Sequence, residues 1–102
     1  MKIAIASIGK DEDSEVSPVG GRAPFYLIFE DKKFVKAVSN PFRVGGGGAG
    51  FGVAKMLADE GVELAVCGKF GPNMQTALEQ NGIKTRAFSG KTAKEIIEEI
   101  EK

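Results

Sequence analysis

The sequence contains no histidine and only one cysteine. Without histidine there is no imidazole to work as a general base near neutral pH, no His-based catalytic dyad and no imidazole metal ligand. A single cysteine excludes an intramolecular disulfide and any four-thiolate metal site built from one chain. Charge of one sign is missing too: 14 Lys+Arg balance 14 Asp+Glu. A general nucleic-acid binder carries a basic excess, so this balance argues against that class. No apolar run approaches the ~20 residues needed to cross a membrane. The first apolar segment follows Met1-Lys2 directly, with no signal-peptide pattern, and the lone cysteine fits a reducing compartment, so a cytoplasmic protein is expected.

What remains is an ordinary globular composition, 42% hydrophobic and 27% charged, in 102 residues. That length makes one domain, residues 1–102, large enough to bury a core without disulfide or metal staples. Glycine is the abundant residue: there are 14, and six fall within the eight positions 45–52.

Lys2-Ile3-Ala4-Ile5-Ala6-Ser7 is too short for a helix and reads as a buried central strand. Residues 8–24 are polar and rich in Gly and Pro, and are expected to form a long structureless loop. Phe25–Glu30 and Phe34–Ser39 read as a hairpin, its second strand at a sheet edge with Lys36 on the wet face. Asn40-Pro41 breaks that strand. After the glycine run, Val53, Met56 and Leu57 recur at helical spacing from about Ala49 to Glu60, and Gly61 sits where a C-cap belongs. Val62–Cys67 is a second buried-strand candidate. Gly71-Pro72 opens a helix that ends at Asn81-Gly82, with Pro at its first position. Ile83–Phe88 is the fifth strand. Thr92-Ala93-Lys94-Glu95 has the form of a capping box and starts a last amphipathic helix. The order β-β-β-α-β-α-β-α predicts an α/β domain: a mixed five-stranded sheet covered by helices, strand 1 central and strands 4 and 5 parallel.

With strand 1 pointing up, Ser7, Arg22, the glycine run, Cys67 and the Gly71-Pro72 turn converge on one edge. Ligands in open α/β sheets bind beyond the carboxyl ends of the strands, where connections diverge, here between strands 1 and 4. Two helix N-termini aimed there favour an anion. The glycine run admits close approach of backbone amides to a ligand, but it equally suits a plain loop. It is no Walker A loop, because no Gly-Lys-Ser/Thr follows. The match of Gly45, Gly47 and Gly50 to G-x-G-x-x-G is trivial within a glycine run. The strand after it ends in Cys67-Gly68-Lys69, with no acidic residue for a ribose. Cys67 has two readings: a thiolate whose pKa Lys69 and the helix start would lower, or a buried core thiol. Arg22 would contact an anionic ligand or form a surface ion pair. Asp11, Asp13 and Glu15 echo a calcium loop, but its sixth position is Val16 instead of Gly.

Several stretches, in order, carry a likeness. They are Lys2–Ser7, Gly21-Arg22-Ala23-Pro24-Phe25, Asn40-Pro41, the Gly-rich helix start, Leu57-Ala58-Asp59-Glu60-Gly61-Val62, Gly71-Pro72-Asn73, and Ala77-Leu78 to Gly82-Ile83-Lys84. Together they resemble the dinitrogenase iron–molybdenum cofactor biosynthesis family, in particular its small stand-alone members, over nearly the whole chain. The resemblance implies a ribonuclease-H-like three-layer fold with sheet order 3-2-1-4-5 and strand 2 antiparallel. It also implies a binder or carrier of iron–sulfur or molybdenum-containing clusters, and no catalysis. Family members that handle nitrogenase cofactor precursors often carry His-Phe-Gly-Arg before strand 2, and others a His before helix 1. Here those places hold Val19-Gly20-Gly21-Arg22 and glycine. The likeness then points to an anionic metal–sulfide cluster held by backbone amides and Arg22, or to a chain that has lost cluster binding.

The expected function is therefore a non-catalytic binder of an iron–sulfur or molybdenum–sulfur cluster, or of its anionic precursor. The alternative is a regulatory or scaffolding domain of the same fold that acts through protein contacts. The candidate cofactor-binding residues are Ser7, Arg22, Gly46, Gly47, Gly48, Gly50, Gly71 and Asn73, with Cys67 as a candidate metal ligand. The expected partners are an anionic cluster or oxyanion and a protein in cofactor delivery, with no nucleic acid and no membrane. The expected state is a monomer or weak homodimer.

Overall fold

Eight elements appear in the order read from the sequence: β1 (Lys2–Ser7), β2 (Phe25–Glu30), β3 (Lys33–Ser39), α1 (Ala49–Asp59), β4 (Leu64–Cys67), α2 (Pro72–Gln80), β5 (Lys84–Ala87) and α3 (Ala93–Ile100). The structure is a computed structural model and describes residues 1–43 and 49–101. The sheet order is β3-β2-β1-β4-β5. β2 is antiparallel to both β1 and β3, while β4 is parallel to β1 and β5. This is the mixed sheet of order 3-2-1-4-5 that the resemblance implied. β4 and β5 begin later than expected, because Val62 N and Ile83 N bond back to Leu57 O and Leu78 O at the ends of α1 and α2.

The apolar runs of β1, β2 and β4 are continuous because these strands are covered on both faces. Their alternate residues divide into two cores. Ala4, Ala6, Tyr26, Ile28, Ala65 and Cys67 face α1 and α2. Ile3, Ile5, Leu27, Phe29, Leu64 and Val66 face α3. The first face carries alanines on β1 and β4, which leaves room for two helices packed side by side. The second presents bulky side chains to a single helix. That helix begins at the expected capping box: Thr92 Oγ1 accepts from Glu95 N at 3.2 Å, and Thr92 N donates to the Glu95 carboxylate at 2.9 Å.

The β2–β3 hairpin turns through Asp31 and Lys32, both at positive φ (51° and 71°). That is the two-residue primed turn whose twist matches the strands, built here without glycine. Lys36 of β3 is exposed, as expected, and reaches Glu60 after α1 at 2.8 Å.

Segment 8–24 is not structureless. Val16 bridges Ser7, and Glu15 bridges Thr92. Ser17 N donates to Ala6 O at 2.8 Å, Val16 N to Lys91 O at 2.9 Å, and Gly68 N to Ser17 O at 2.9 Å. The segment thus runs along the end of β1 and across the end of β4, filling the divergence point with the chain's own backbone. Alternation between polar and apolar residues cannot reveal so short a pairing.

Candidate functional site

At the top of the sheet, four residues form a tightly bonded arch, Gly20-Gly21-Arg22-Ala23. Tyr26, buried in β2, donates its hydroxyl to Gly20 O at 2.6 Å. Asn40, 3% exposed, donates from Nδ2 to Gly21 O at 3.0 Å and to Ala23 O at 2.8 Å. Its Oδ1 accepts from Phe42 N at 2.9 Å. Gly20 N donates to Lys69 O at 3.2 Å. Arg22 stands out from this arch, exposed, and its Nη1 donates to Phe42 O at 2.9 Å. The backbone that carries Arg22 is therefore fixed before any ligand arrives.

The two helix starts meet beside the arch. A Cβ on Gly21 would lie 3.7 Å from Ala49 Cβ and 3.8 Å from Gly50 N, so α1 begins against it. A Cβ on Gly50 would lie 2.8 Å from Met74 N and 2.9 Å from Met74 Cα. The first turns of α1 and α2 thus touch backbone to backbone, which only glycine at position 50 permits. Gly71 is the N-cap of α2 and makes no side-chain cap bond; Gly71 and Asn73 are both exposed. Pro72 has no N–H and buried Met74 presents its N to Gly50, so in the first turn of α2 the N–H left to favour an anion is that of exposed Asn73.

Of the residues singled out from the sequence, Arg22, Gly50, Gly71 and Asn73 lie along this edge. Gly46, Gly47 and Gly48 fall outside the described residues. Ser7 is fully buried, and its hydroxyl donates to Gly9 O at 2.9 Å and accepts from Gly9 N at 3.2 Å. That hydroxyl is spent on the turn after β1, on the α3 side of the sheet.

Of the two readings of Cys67, the buried core thiol holds and the activated thiolate does not: burial pushes its thiol up to about 12. The reason is direction: the side chain points into the α1–α2 core, beneath Gly20, where a Cβ would come within 3.0 Å of Sγ and 2.8 Å of Met74 Sδ. The thiol donates to Lys69 O at 3.2 Å, while the Lys69 side chain is exposed. Burial also raises the Tyr26 hydroxyl well above its ordinary value, with neighbouring Cys67 adding to the effect. Both groups are neutral at physiological pH. Among the described residues no three His, Cys, Asp or Glu side chains gather as a metal site, and no helix is long and apolar enough to cross a membrane.

Asn40 and Tyr26 are the residues that sequence reasoning missed. Asn40-Pro41 reads as a strand breaker, and its partners lie 17 and 19 positions away. The available signal was an amide residue immediately after an edge strand, level with the opening of β2.

The sequence matches the family described as "Dinitrogenase iron-molybdenum cofactor" over residues 1–102. The chain belongs to that family. Its fold is similar to the apo form of the orange protein from Desulfovibrio gigas, with a TM-score of 0.91 and 27% identity over 97% of this chain and 85% of that one. It is also similar to a putative NifB protein from Thermotoga, assigned to the DUF35 family, with a TM-score of 0.83 and 31% identity over 97% of this chain and 85% of the other. No protein of curated function matches the sequence at a significant level. Within the dinitrogenase cofactor family, this member carries Arg22 on a rigid arch beside two abutting helix starts.

Proposed function

We propose that the chain is a non-catalytic binder or carrier of an anionic metal–sulfur cluster, or of its thiometallate precursor, held by N–H donors and Arg22 without covalent ligation through Cys67. The observation that carries this reading is the meeting of the α1 and α2 first turns at Gly50 and Met74, next to the arch bearing Arg22. Helix starts supply partial positive charge and N–H donors, and guanidinium supplies a full charge. A sulfide-rich anion suits such a surface because its charge is delocalised and it needs no proton transfer. A neutral, buried Cys67 does not suit thiolate ligation. Family membership and the likeness to a protein solved in an apo form point the same way.

The test is anaerobic incubation with tetrathiomolybdate, and separately with iron and sulfide, followed by gel filtration, metal analysis and visible spectra. Bound metal should co-elute with the protein. Arg22→Ala should weaken binding by about tenfold, the loss of a charge-assisted contact, and Cys67→Ala should leave it within about twofold. Absence of bound metal under every combination overturns the reading and leaves the scaffolding alternative. Metal lost on Cys67→Ala with the fold retained overturns the non-covalent mode.

A further inference from the structure

A pocket of about 280 Å³ opens on the opposite face of the same sheet edge, lined by Lys10, Pro24, Phe25, Ser39, Asn40 and Arg43. Phe25 and Ser39 are paired across β2 and β3. By strand alternation they project to the α3 side, with Leu27 and Phe29, away from the Tyr26 side where α1 and α2 pack. The pocket is therefore separate from the Arg22 edge, although Phe42, which holds Arg22, is followed directly by Arg43.

Its chemistry is one-sided. Two cations line it and no carboxylate does. The ion pairs of the described residues engage Lys36, Lys55, Lys91 and the N-terminus, and neither Lys10 nor Arg43. The nearest carboxylate in sequence, exposed Asp11, accepts through Oδ1 from Asp13 N at 3.1 Å and Ser14 Oγ at 3.3 Å. Lys10 is held with Nζ 5.6 Å from the centroid of the Phe25 ring, so its ammonium is partly ordered in advance. The Ser39 hydroxyl sits at the rim, exposed. The floor is buried Asn40, fixed in place because its Nδ2 donates to Gly21 O and Ala23 O and its Oδ1 accepts from Phe42 N. A rigid floor, a hydroxyl and two unpaired cations suit a compact doubly charged anion. They do not suit a cation or a neutral ligand, which would leave both charges unanswered.

We propose that this pocket binds a tetrahedral oxyanion of the phosphate class, as the free ion or as a phosphomonoester, with Lys10 and Arg43 as its charged ligands and Ser39 as a hydroxyl donor. The ¹⁵N-labelled full chain titrated with inorganic phosphate, at constant ionic strength set with chloride, tests this. Saturable shifts are expected at Lys10, Phe25, Ser39, Asn40 and Arg43. The Lys10→Ala/Arg43→Ala double variant, both sites being exposed, should keep the native spectrum and lose affinity by at least about tenfold. Arg22→Ala should leave the saturable shifts at Lys10, Phe25 and Ser39 in place, which separates this pocket from the proposed cluster edge. Phenyl phosphate binding tighter than phosphate identifies an ester, through Pro24 and Phe25; equal or weaker binding identifies the free ion. Shifts that never saturate, that chloride reproduces, or that survive in the double variant overturn the proposal.

Discussion

Gly50→Ala offers the sharpest test of why glycine crowds the start of α1. If glycine serves only ligand access or loop freedom, adding a methyl in a helical position should stabilise α1, by up to about 1 kcal/mol from propensity. The structure predicts the opposite sign. The new Cβ would sit 2.8 Å from Met74 N and 2.9 Å from both Met74 Cα and Cβ, against ordinary contacts of about 3.5–4.0 Å. Two of those atoms are backbone, so α2 itself must retreat by roughly 0.5–1 Å. Overpacking of this kind costs about 1–3 kcal/mol. The propensity gain, reduced in a first turn, offsets part of that, leaving a net loss of about 1–2 kcal/mol. For a domain of this size each kcal/mol moves Tm by about 4–8 °C, so thermal unfolding followed by circular dichroism should shift down by roughly 5–15 °C. The same melt run on Gly71→Ser should move slightly upward, because a cap hydroxyl adds a few tenths of a kcal/mol at a position with open space around it. A Gly50→Ala melt at or above the parent Tm refutes the claim that the two helix starts are locked in backbone contact.

Three further predictions concern the groups beneath the edge. Because Cys67 holds its proton to about 12 when folded against an ordinary value near 9, the folded state binds that proton more tightly. Its stabilising contribution is complete below pH 9 and is lost as pH rises from 9 toward 12, with Tyr26 adding the same trend above about 10. The urea midpoint should fall more steeply over that interval in the parent than in Cys67→Ala; parallel slopes would contradict the assignment. Iodoacetamide should likewise modify native Cys67 far more slowly than the urea-unfolded thiol. Asn40→Ala removes three hydrogen bonds and strands Gly21 O, Ala23 O and Phe42 N, so it should cost about 2–4 kcal/mol. Amide hydrogen exchange should show the loosening concentrated at Gly20–Ala23.

The fold was legible because its signals are local. Buried strands, the Gly71-Pro72 helix start and the Thr92–Glu95 capping box each declare themselves within a few residues, and handedness rules connect them. The site was legible only as a place. Arg22, Gly50, Gly71 and Asn73 do share one edge, but what each does there depends on direction and distant partners. Cys67 lies two residues from Lys69, yet its buried thiol meets only the Lys69 carbonyl while that side chain is exposed, so sequence proximity could not decide between its two readings. Gly50 looked like part of a ligand-facing run, and its reason lies 24 positions away at Met74. Asn40 looked like punctuation, and its amide holds the arch. Pairwise tertiary contacts of this kind leave no periodicity in a single sequence.

The backbone ties of segment 8–24 have a consequence for the order in which the molecule matures. Val16 N bonds Lys91 O, Ala93 N bonds Ser14 O, and Lys94 N bonds Glu12 O. These contacts join the first fifth of the polypeptide to its last, so they close late, after the local β2–β3 hairpin. On the ribosome, residues 12–16 have no C-terminal anchor until Lys91–Lys94 have emerged, whereas Ser17 and Gly20 gain theirs at Gly68 and Lys69. A nascent chain can thus close the arch side of its upper rim once β4 is out, and residues 12–16 dock against the start of α3 last.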